Sequence, residues 1–164
     1  MSYANYYFKS IGIGELSFLE DMLFYAIYVG EGNPLPSRNI IYEPNLYKYI
    51  DKWAENKDIG YVIVDKKTNK KLGAAWLRLF CEDDKGYGYI SGDIPELSIA
   101  IYPEYRGKGL GTLLIKHLIS EIPTHINSIS LSVDTQNSAK RLYERLGFKD
   151  YSIDKETAIM IYNK

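Results

Sequence analysis

One stretch restricts the folding of this chain more than any other. Leu97-Ser98-Ile99-Ala100-Ile101 is an apolar run of the kind found in central strands. It passes into Tyr102-Pro103-Glu104-Tyr105-Arg106-Gly107-Lys108-Gly109-Leu110-Gly111-Thr112, with glycine at every second position from 107 to 111. Leu110, Leu113, Leu114, His117 and Leu118 then recur at helical spacing, and the pattern stops near Glu121-Ile122-Pro123. Ile129, Leu131 and Val133 alternate with Ser128, Ser130 and Ser132, a strand by period two. Strand, helix and strand in this order predict a crossover, so the class is α/β.

The flanks fit that class. Leu19, Met22, Leu23, Ala26 and Ile27 form one apolar stripe, which predicts a helix over 18–28 with Ser17 and Glu20 as a capping box. Asn33-Pro34-Leu35-Pro36-Ser37 excludes regular structure. Leu46, Tyr49, Ile50 and Trp53 predict a second helix over 46–55, with Asn45 as N-cap and Asn56-Lys57 as its frayed end. Tyr61-Val62-Ile63-Val64 and 72–80 read as the arms of a hairpin around a polar turn. A loop over 81–93 contains Gly86, Gly88 and Gly92 among acids. Ala139, Leu142, Tyr143 and Leu146 share a face of a short helix, with Gly147 at its C′ position. The runs 148–153 and 158–162 read as strands around a charged turn, and a further strand is expected near Tyr6-Tyr7-Phe8.

Composition narrows the function classes. The 164 residues suit one domain, 1–164, and no Ser/Pro linker or repeat divides them. A net charge of −1 provides no global field for nucleic acid or an anionic membrane. The single cysteine, Cys81, excludes an internal disulfide and a cysteine metal cluster, and two histidines leave no metal site to expect. The start Met1-Ser2-Tyr3-Ala4-Asn5 lacks the features of a signal peptide, and no run approaches a membrane span, so a cytoplasmic location is expected. Sixteen tyrosines are unusual, and most of them read as half-buried ring positions.

The glycine loop has a physical use. Glycines let a ligand reach the main chain, and the N–H groups opening a helix favour an anion, as does the helix dipole. Arg106 and Lys108 add formal positive charge. From Pro103 to Lys149 seven basic residues face four acidic ones, an excess of three positive charges on a chain of net −1. A solvated basic helix face would give the same balance. The dinucleotide fingerprint G-x-G-x-x-G fails at Thr112, and G-x-x-x-x-G-K-[ST] fails on both sides of Gly107-Lys108.

Here the chain resembles the GNAT superfamily of acyl-CoA-dependent N-acyltransferases. The family's R/Q-x-x-G-x-G/A loop is matched by Arg106, Gly109 and Gly111, behind the strand-like lead of 96–105. Its N-x-A-x-x-L-Y-E-x-L-G-F segment is matched by Asn137, Ala139, Leu142, Tyr143, Glu144, Leu146, Gly147 and Phe148. The close match covers about residues 72–148. The resemblance implies a central mixed β-sheet flanked by helices, with a V-shaped split between the central strands. It implies acetyl-CoA as co-substrate and no metal. The pyrophosphate would lie on the amides of Gly107, Lys108, Gly109, Leu110, Gly111 and Thr112, beside Arg106. The pantetheine would run along Ile99, Ala100 and Ile101, with Asn137 on its far side.

The implied reaction is direct attack of a primary amine on the thioester in a ternary complex. Three groups are needed: a base, an oxyanion site and an acid. Glu96 is the candidate base, or else an exposed strand-end residue after Pro95. Backbone N–H groups near 99–101 could hold the oxyanion. Tyr143 is the candidate acid for the departing sulfur, or else it completes the apolar face of its helix. The acceptor is expected to be a small-molecule or peptide amine, in a pocket shaped by Pro34, Pro36, Arg38 and Tyr42. Glu82, Asp83, Asp84 and Asp93 either attract it or form a solvated acidic loop. Trp76 and Arg78 could form the pocket floor, although tryptophan at strand spacing is usually core. Cys81 and His117 read as bystanders. The alternative is a non-catalytic CoA-binding module of the same fold. An exposed strand edge in this fold class often supports a homodimer.

Overall fold

The computed structural model describes residues 3–55 and 58–164. Seven strands, β1 (Tyr6–Ser10), β2 (Ile59–Asp65), β3 (Lys71–Arg78), β4 (Glu96–Ile101), β5 (Ser128–Asp134), β6 (Lys149–Asp154) and β7 (Thr157–Asn163), follow the hydrogen-bonded order β1-β2-β3-β4-β5-β7-β6. Four α-helices accompany them: α1 (Leu16–Ala26), α2 (Pro44–Tyr47), α3 (Leu110–Glu121) and α4 (Ala139–Arg145). The sheet is mixed and mostly antiparallel. β4 and β5, joined through α3, are parallel with Glu96 opposite Ser130, as the crossover pattern requires.

The chain clusters into two compact units built from interleaved segments. The first holds 1–27, 36–76 and 98–122. Here β1 pairs antiparallel with β2, from Tyr6 opposite Asp65 to Ser10 opposite Tyr61. This is the strand expected near Tyr6-Tyr7-Phe8. Leu19, Met22, Ile41, Ile50, Ile63, Trp76, Leu114 and Leu118 are fully buried in this unit. The two tryptophans bury their rings but keep a partner for each indole N–H: Trp53 Nε1 donates to the Ile11 carbonyl (3.1 Å) and Trp76 Nε1 to that of Tyr49 (2.9 Å).

The helix expected over 46–55 is a single α-turn, α2, entered from Glu43 with Pro44 at N1. Asn45 lies inside it and is no N-cap. Turns follow, with Lys52 (φ 51°) and Ala54 (φ 73°) in the left-handed region that a helix excludes. Tyr49, Ile50 and Trp53 are buried all the same, because their spacing satisfies a core from a turn as well as from a helix. The expected frayed end, Asn56-Lys57, lies outside the described residues. The capping box at Ser17 is also corrected: α1 begins at Leu16 with Glu15 as N-cap, so Ser17 is already helical.

Glu15 is buried and bonded to Lys9 and Lys71. Burial opposes its ionisation, but the two ammonium partners outweigh it and hold the carboxyl below the ordinary range. Its stabilisation is therefore complete above the ordinary glutamate pKa of about 4.3 and is lost as the pH falls through the lowered folded value. Glu15→Gln is expected to cost about 1–2 kcal/mol at pH 7, discounted because both lysines reach solvent. Thermal unfolding at pH 7 and pH 3 checks this: the gap between variant and parent should shrink at the lower pH.

The second unit holds 28–35, 77–97 and 123–164. β5 pairs antiparallel with β7 along its length, and β6 forms the outer arm of the last hairpin with an irregularity between Asp150 and Ser152. Ile129, Leu131, Phe148, Ala158 and Met160 form its core. Among the described residues no helix is long and apolar enough to cross a membrane.

Candidate functional site

In the first unit, the chain leaves β4 at Ile101, makes a 3₁₀ turn over Pro103–Tyr105 and enters α3 at Leu110. Gly107 (φ 73°) and Gly109 (φ 75°) both occupy the left-handed region, so two of the three alternating glycines are there for the backbone itself. Gly109 is the N-cap, and no side chain caps the helix. The first helical bond runs from the Leu113 N–H to the Gly109 carbonyl (3.2 Å), which leaves the amides of Leu110, Gly111 and Thr112 pointing out of the helix start. A Cβ placed on Gly107 would meet nothing within 4 Å, so the space over the loop is open. An uncapped, uncovered helix start of this kind is suited to a phosphate.

The flanking cations divide their work. Lys108 sits over the Tyr105 ring, 5.4 Å from its centroid, and remains exposed. Arg106 is committed to the main chain: Nε donates to the Ile101 carbonyl (3.0 Å) and Nη2 to the Tyr25 carbonyl (3.1 Å). It therefore ties the end of β4 to the C-terminal turn of α1 and sets the shape of the loop. Of the three residues expected along the pantetheine, Ala100 is buried, Ile99 and Ile101 are half-buried, and the Ile101 carbonyl is taken by Arg106.

In the same unit, Tyr102 donates to Asp21 Oδ2 (2.7 Å), and Asp21 also pairs with Arg38. Burial first, and then this bond to a carboxylate, hold the Tyr102 phenol far above its ordinary pKa. Tyr42 and Tyr47 both donate to Glu20 (3.3 and 3.2 Å). Of the residues expected to shape an acceptor pocket, Arg38 and Tyr42 are thus fixed to acids on α1, a pairing the sequence did not signal. His117 on α3 is stacked on Phe8 (4.1 Å between centroids) and meets the Tyr61 ring edge-on (4.6 Å). Burial lowers its pKa, and it belongs to the packing of α3 on β1 and β2.

In the second unit, Glu96 opens β4 and is buried, 3 % exposed, which removes the reading of an exposed strand end. Its Oε1 accepts from the Gly88 N–H (2.9 Å). The glycines of the 81–93 loop now have a reason. A Cβ on Gly86 would overlap Glu96 Oε2, and one on Gly88 would lie 2.7 Å from the Leu131 carbonyl carbon and 3.1 Å from Glu96 Cδ. Gly86-Tyr87-Gly88 is therefore a fitted cover for this carboxylate. The pattern G-x-G ahead of an acid was the available signal.

Tyr143 is buried on α4, and Phe148 explains how it is held. Gly147 takes φ 99°, and the Phe148 N–H returns to the Tyr143 carbonyl (3.0 Å), the 6→1 bond of a Schellman cap. The two rings lie 5.9 Å apart, the apolar contact that accompanies this cap. Burial alone pushes the phenol up to about 12, so Tyr143 is protonated throughout the neutral range. Tyr143 thus holds the stripe position and keeps its phenol proton. Asn137 accepts from the Ala139 N–H with Oδ1 (3.0 Å), an Asx turn that leads into α4. In the acidic loop, Glu82 pairs with Lys85 (2.6 Å), and Asp93 accepts from Ser91. Trp76 and Arg78 are both buried, and Cys81 is exposed. Among the described residues no group of histidine, cysteine, aspartate and glutamate could hold a metal ion.

The turn from β4 into α3, with uncapped main-chain donors and open space over Gly107, suits a phosphate-bearing ligand. The model of the Acetyltransferase (GNAT) family matches residues 25–148, and the chain belongs to that family. Over 59 residues it is 41 % identical to a [ribosomal protein bS18]-alanine N-acetyltransferase of Haemophilus influenzae, covering 35 % of this chain and 40 % of that protein. The corresponding Escherichia coli K12 protein is 40 % identical over 58 residues, 34 % and 39 % of the two chains. The matched part thus spans about two fifths of these relatives. Two solved structures show the same fold. One is a GCN5-related N-acetyltransferase from Kribbella flavida (TM-score 0.68, 15 % identity, covering 99 % and 100 % of the chains). The other is the spermidine/spermine N-acetyltransferase SpeG from Vibrio cholerae (TM-score 0.61, 20 % identity, 98 % and 93 %).

Proposed function

We propose that the chain, 1–164, works as a single acetyl-CoA-dependent N-acetyltransferase acting on a primary amine of a small molecule or peptide. The observation that carries this reading is the loop of 107–112: main-chain donors without a side-chain cap, open space over Gly107 and family membership across 25–148. Acetyl-CoA is a substrate here, supplying an activated carbonyl and a diphosphate. The amides of Gly107 to Thr112 would hold the diphosphate, with Lys108 adding charge and Arg106 fixing the loop. Ile99, Ala100 and Asn137 would accompany the pantetheine, where the fold of the family parts its central strands.

The reaction follows from simple demands. An alkyl amine with a pKa of about 10.4 is mostly protonated at pH 7 and must lose a proton to attack. In this reading Glu96 takes it, and the amine nitrogen forms a C–N bond to the thioester carbonyl carbon. The C–S bond breaks and the sulfur leaves with a hydrogen bond from Tyr143. A phenol at about 12 is a weaker acid than a thiol of about 8.5, so the tyrosine stabilises the departing thiolate rather than handing over its proton early. The acceptors named for the relatives, an alanine of ribosomal protein bS18 and spermidine or spermine, bracket the amines to try first.

Thiol release from acetyl-CoA across a panel of peptide and polyamine acceptors tests the reading. Amine-dependent release supports it. Cofactor binding without release for any amine would indicate a non-catalytic CoA-binding module instead.

A further inference from the structure

Ser130 lies in the middle of β5 with its side chain fully buried, and its Oγ has no hydrogen-bond partner among the described residues. A buried hydroxyl left in this state costs about 1–3 kcal/mol, so a chain tolerates one only where something else compensates. The register says where that compensation lies. Ser130 is the parallel partner of Glu96, and matched residues on neighbouring strands point to the same face of the sheet. The two strands also share a bond between them, from the Ser130 N–H to the Pro95 carbonyl (3.0 Å).

The same face is closed by the glycine loop. The Gly88 N–H holds Glu96 Oε1, and a Cβ on Gly88 would lie 2.8 Å from the Ser132 nitrogen. A buried carboxylate, a buried hydroxyl and a tightly fitted main chain thus form one polar compartment inside the second unit. Ser130 Oγ makes no direct bond to that carboxylate, and a bridging water in this polar compartment would link the two.

We propose that Ser130 is a positioning residue for the reaction: through one ordered water its hydroxyl donates to the Glu96 carboxylate and keeps it ionised and oriented to receive the amine proton. The inference rests on the reading of Glu96 as the base. A hydrogen bond to the charged form favours that form, so its loss makes the carboxylate a weaker acid. No covalent bond changes at the serine. The proton moves from nitrogen to the carboxylate, and the water only carries the hydrogen bond.

The test is the pH profile of kcat for the parent, Ser130→Ala, Ser130→Thr and Glu96→Gln, with thermal unfolding measured alongside. Ser130→Ala is expected to unfold close to the temperature of the parent, because it loses a water-mediated hydrogen bond but no longer buries a hydroxyl. Its acid limb should move up by about half to one pH unit, with kcat at pH 7 lower by about 3–10-fold. Ser130→Thr, which keeps the hydroxyl, should bring the limb back toward the parent. A Ser130→Ala enzyme with the limb and rate of the parent would overturn the inference while leaving Glu96 in place. Glu96→Gln should lose the acid limb altogether. If it kept the limb, the base reading would fall and the role of Ser130 with it.

Discussion

Replacing Tyr143 with phenylalanine is expected to lower kcat by about 10²–10³-fold and to leave acetyl-CoA affinity within about threefold of the parent. The asymmetry follows from where the side chain sits. Its ring is core: it packs on Phe148 across the Schellman cap of α4, and phenylalanine keeps that contact. The phenol oxygen is the part removed. Burial alone, with no partner charge, holds it at about 12, so in the proposed reaction it would act as a neutral donor that matters most when negative charge develops on the leaving sulfur. An interaction made in the transition state and not in the ground state lowers kcat and kcat/KM together. The same value predicts no alkaline limb from this residue below about pH 11. Steady-state kinetics with calorimetry of acetyl-CoA separates the two quantities. Equal turnover of variant and parent would take Tyr143 out of the chemistry and leave it as packing.

Gly109→Val is expected to weaken acetyl-CoA binding by about 10–100-fold, with a smaller effect on kcat at saturation. Two causes act together. Gly109 is held at φ 75°, where a β-branched residue costs about 1–3 kcal/mol, so the N-cap would shift to relieve it. The valine would also add bulk beside the amides of Leu110 and Gly111, which the proposed function assigns to the diphosphate. Thermal unfolding controls for general damage, and Gly107→Ala offers a gentler variant in open space with the same φ problem. Unchanged affinity in both would mean that the diphosphate does not use this loop.

Some of this was legible in the chain alone, and the parts differ for physical reasons. The unit β4–α3–β5 was readable because its strands are buried, its helix is amphipathic and its turn requires glycine. Gly147 announced the end of α4 in the same way, since its left-handed φ favours glycine. The 46–55 segment misled because apolar spacing reports which side chains are buried, not which backbone delivers them. Lys52 and Ala54 carry no sequence mark of a positive φ. β1 was only suspected, because it is an edge strand with two of its five residues half-buried and the rest exposed.

The candidate site divides similarly. Loop glycines stood out by spacing, and Tyr143 by its place in the family's N-x-A-x-x-L-Y-E segment. The burial of Glu96 did not, because it depends on Gly86 and Gly88 folding back over it, a contact that local periodicity does not encode. Arg106 was read as a ligand for the anion from its charge and its place in the loop motif, whereas its Nε and Nη2 donate to the carbonyls of Ile101 and Tyr25. Ser130 was read only as the polar half of an alternating strand. Its register opposite Glu96 is a tertiary fact.

The most direct measurement compares acetyl-CoA with acetyl-pantetheine, which carries the same thioester arm without the diphosphate and nucleotide, in calorimetric titrations of the parent chain. If the amides of Gly107 to Thr112 bind the diphosphate, acetyl-CoA binds and acetyl-pantetheine binds at least about 100-fold more weakly, a difference of about 2.7 kcal/mol. Equal affinity for the two would contradict the account, because the loop would then contribute nothing to holding the thioester.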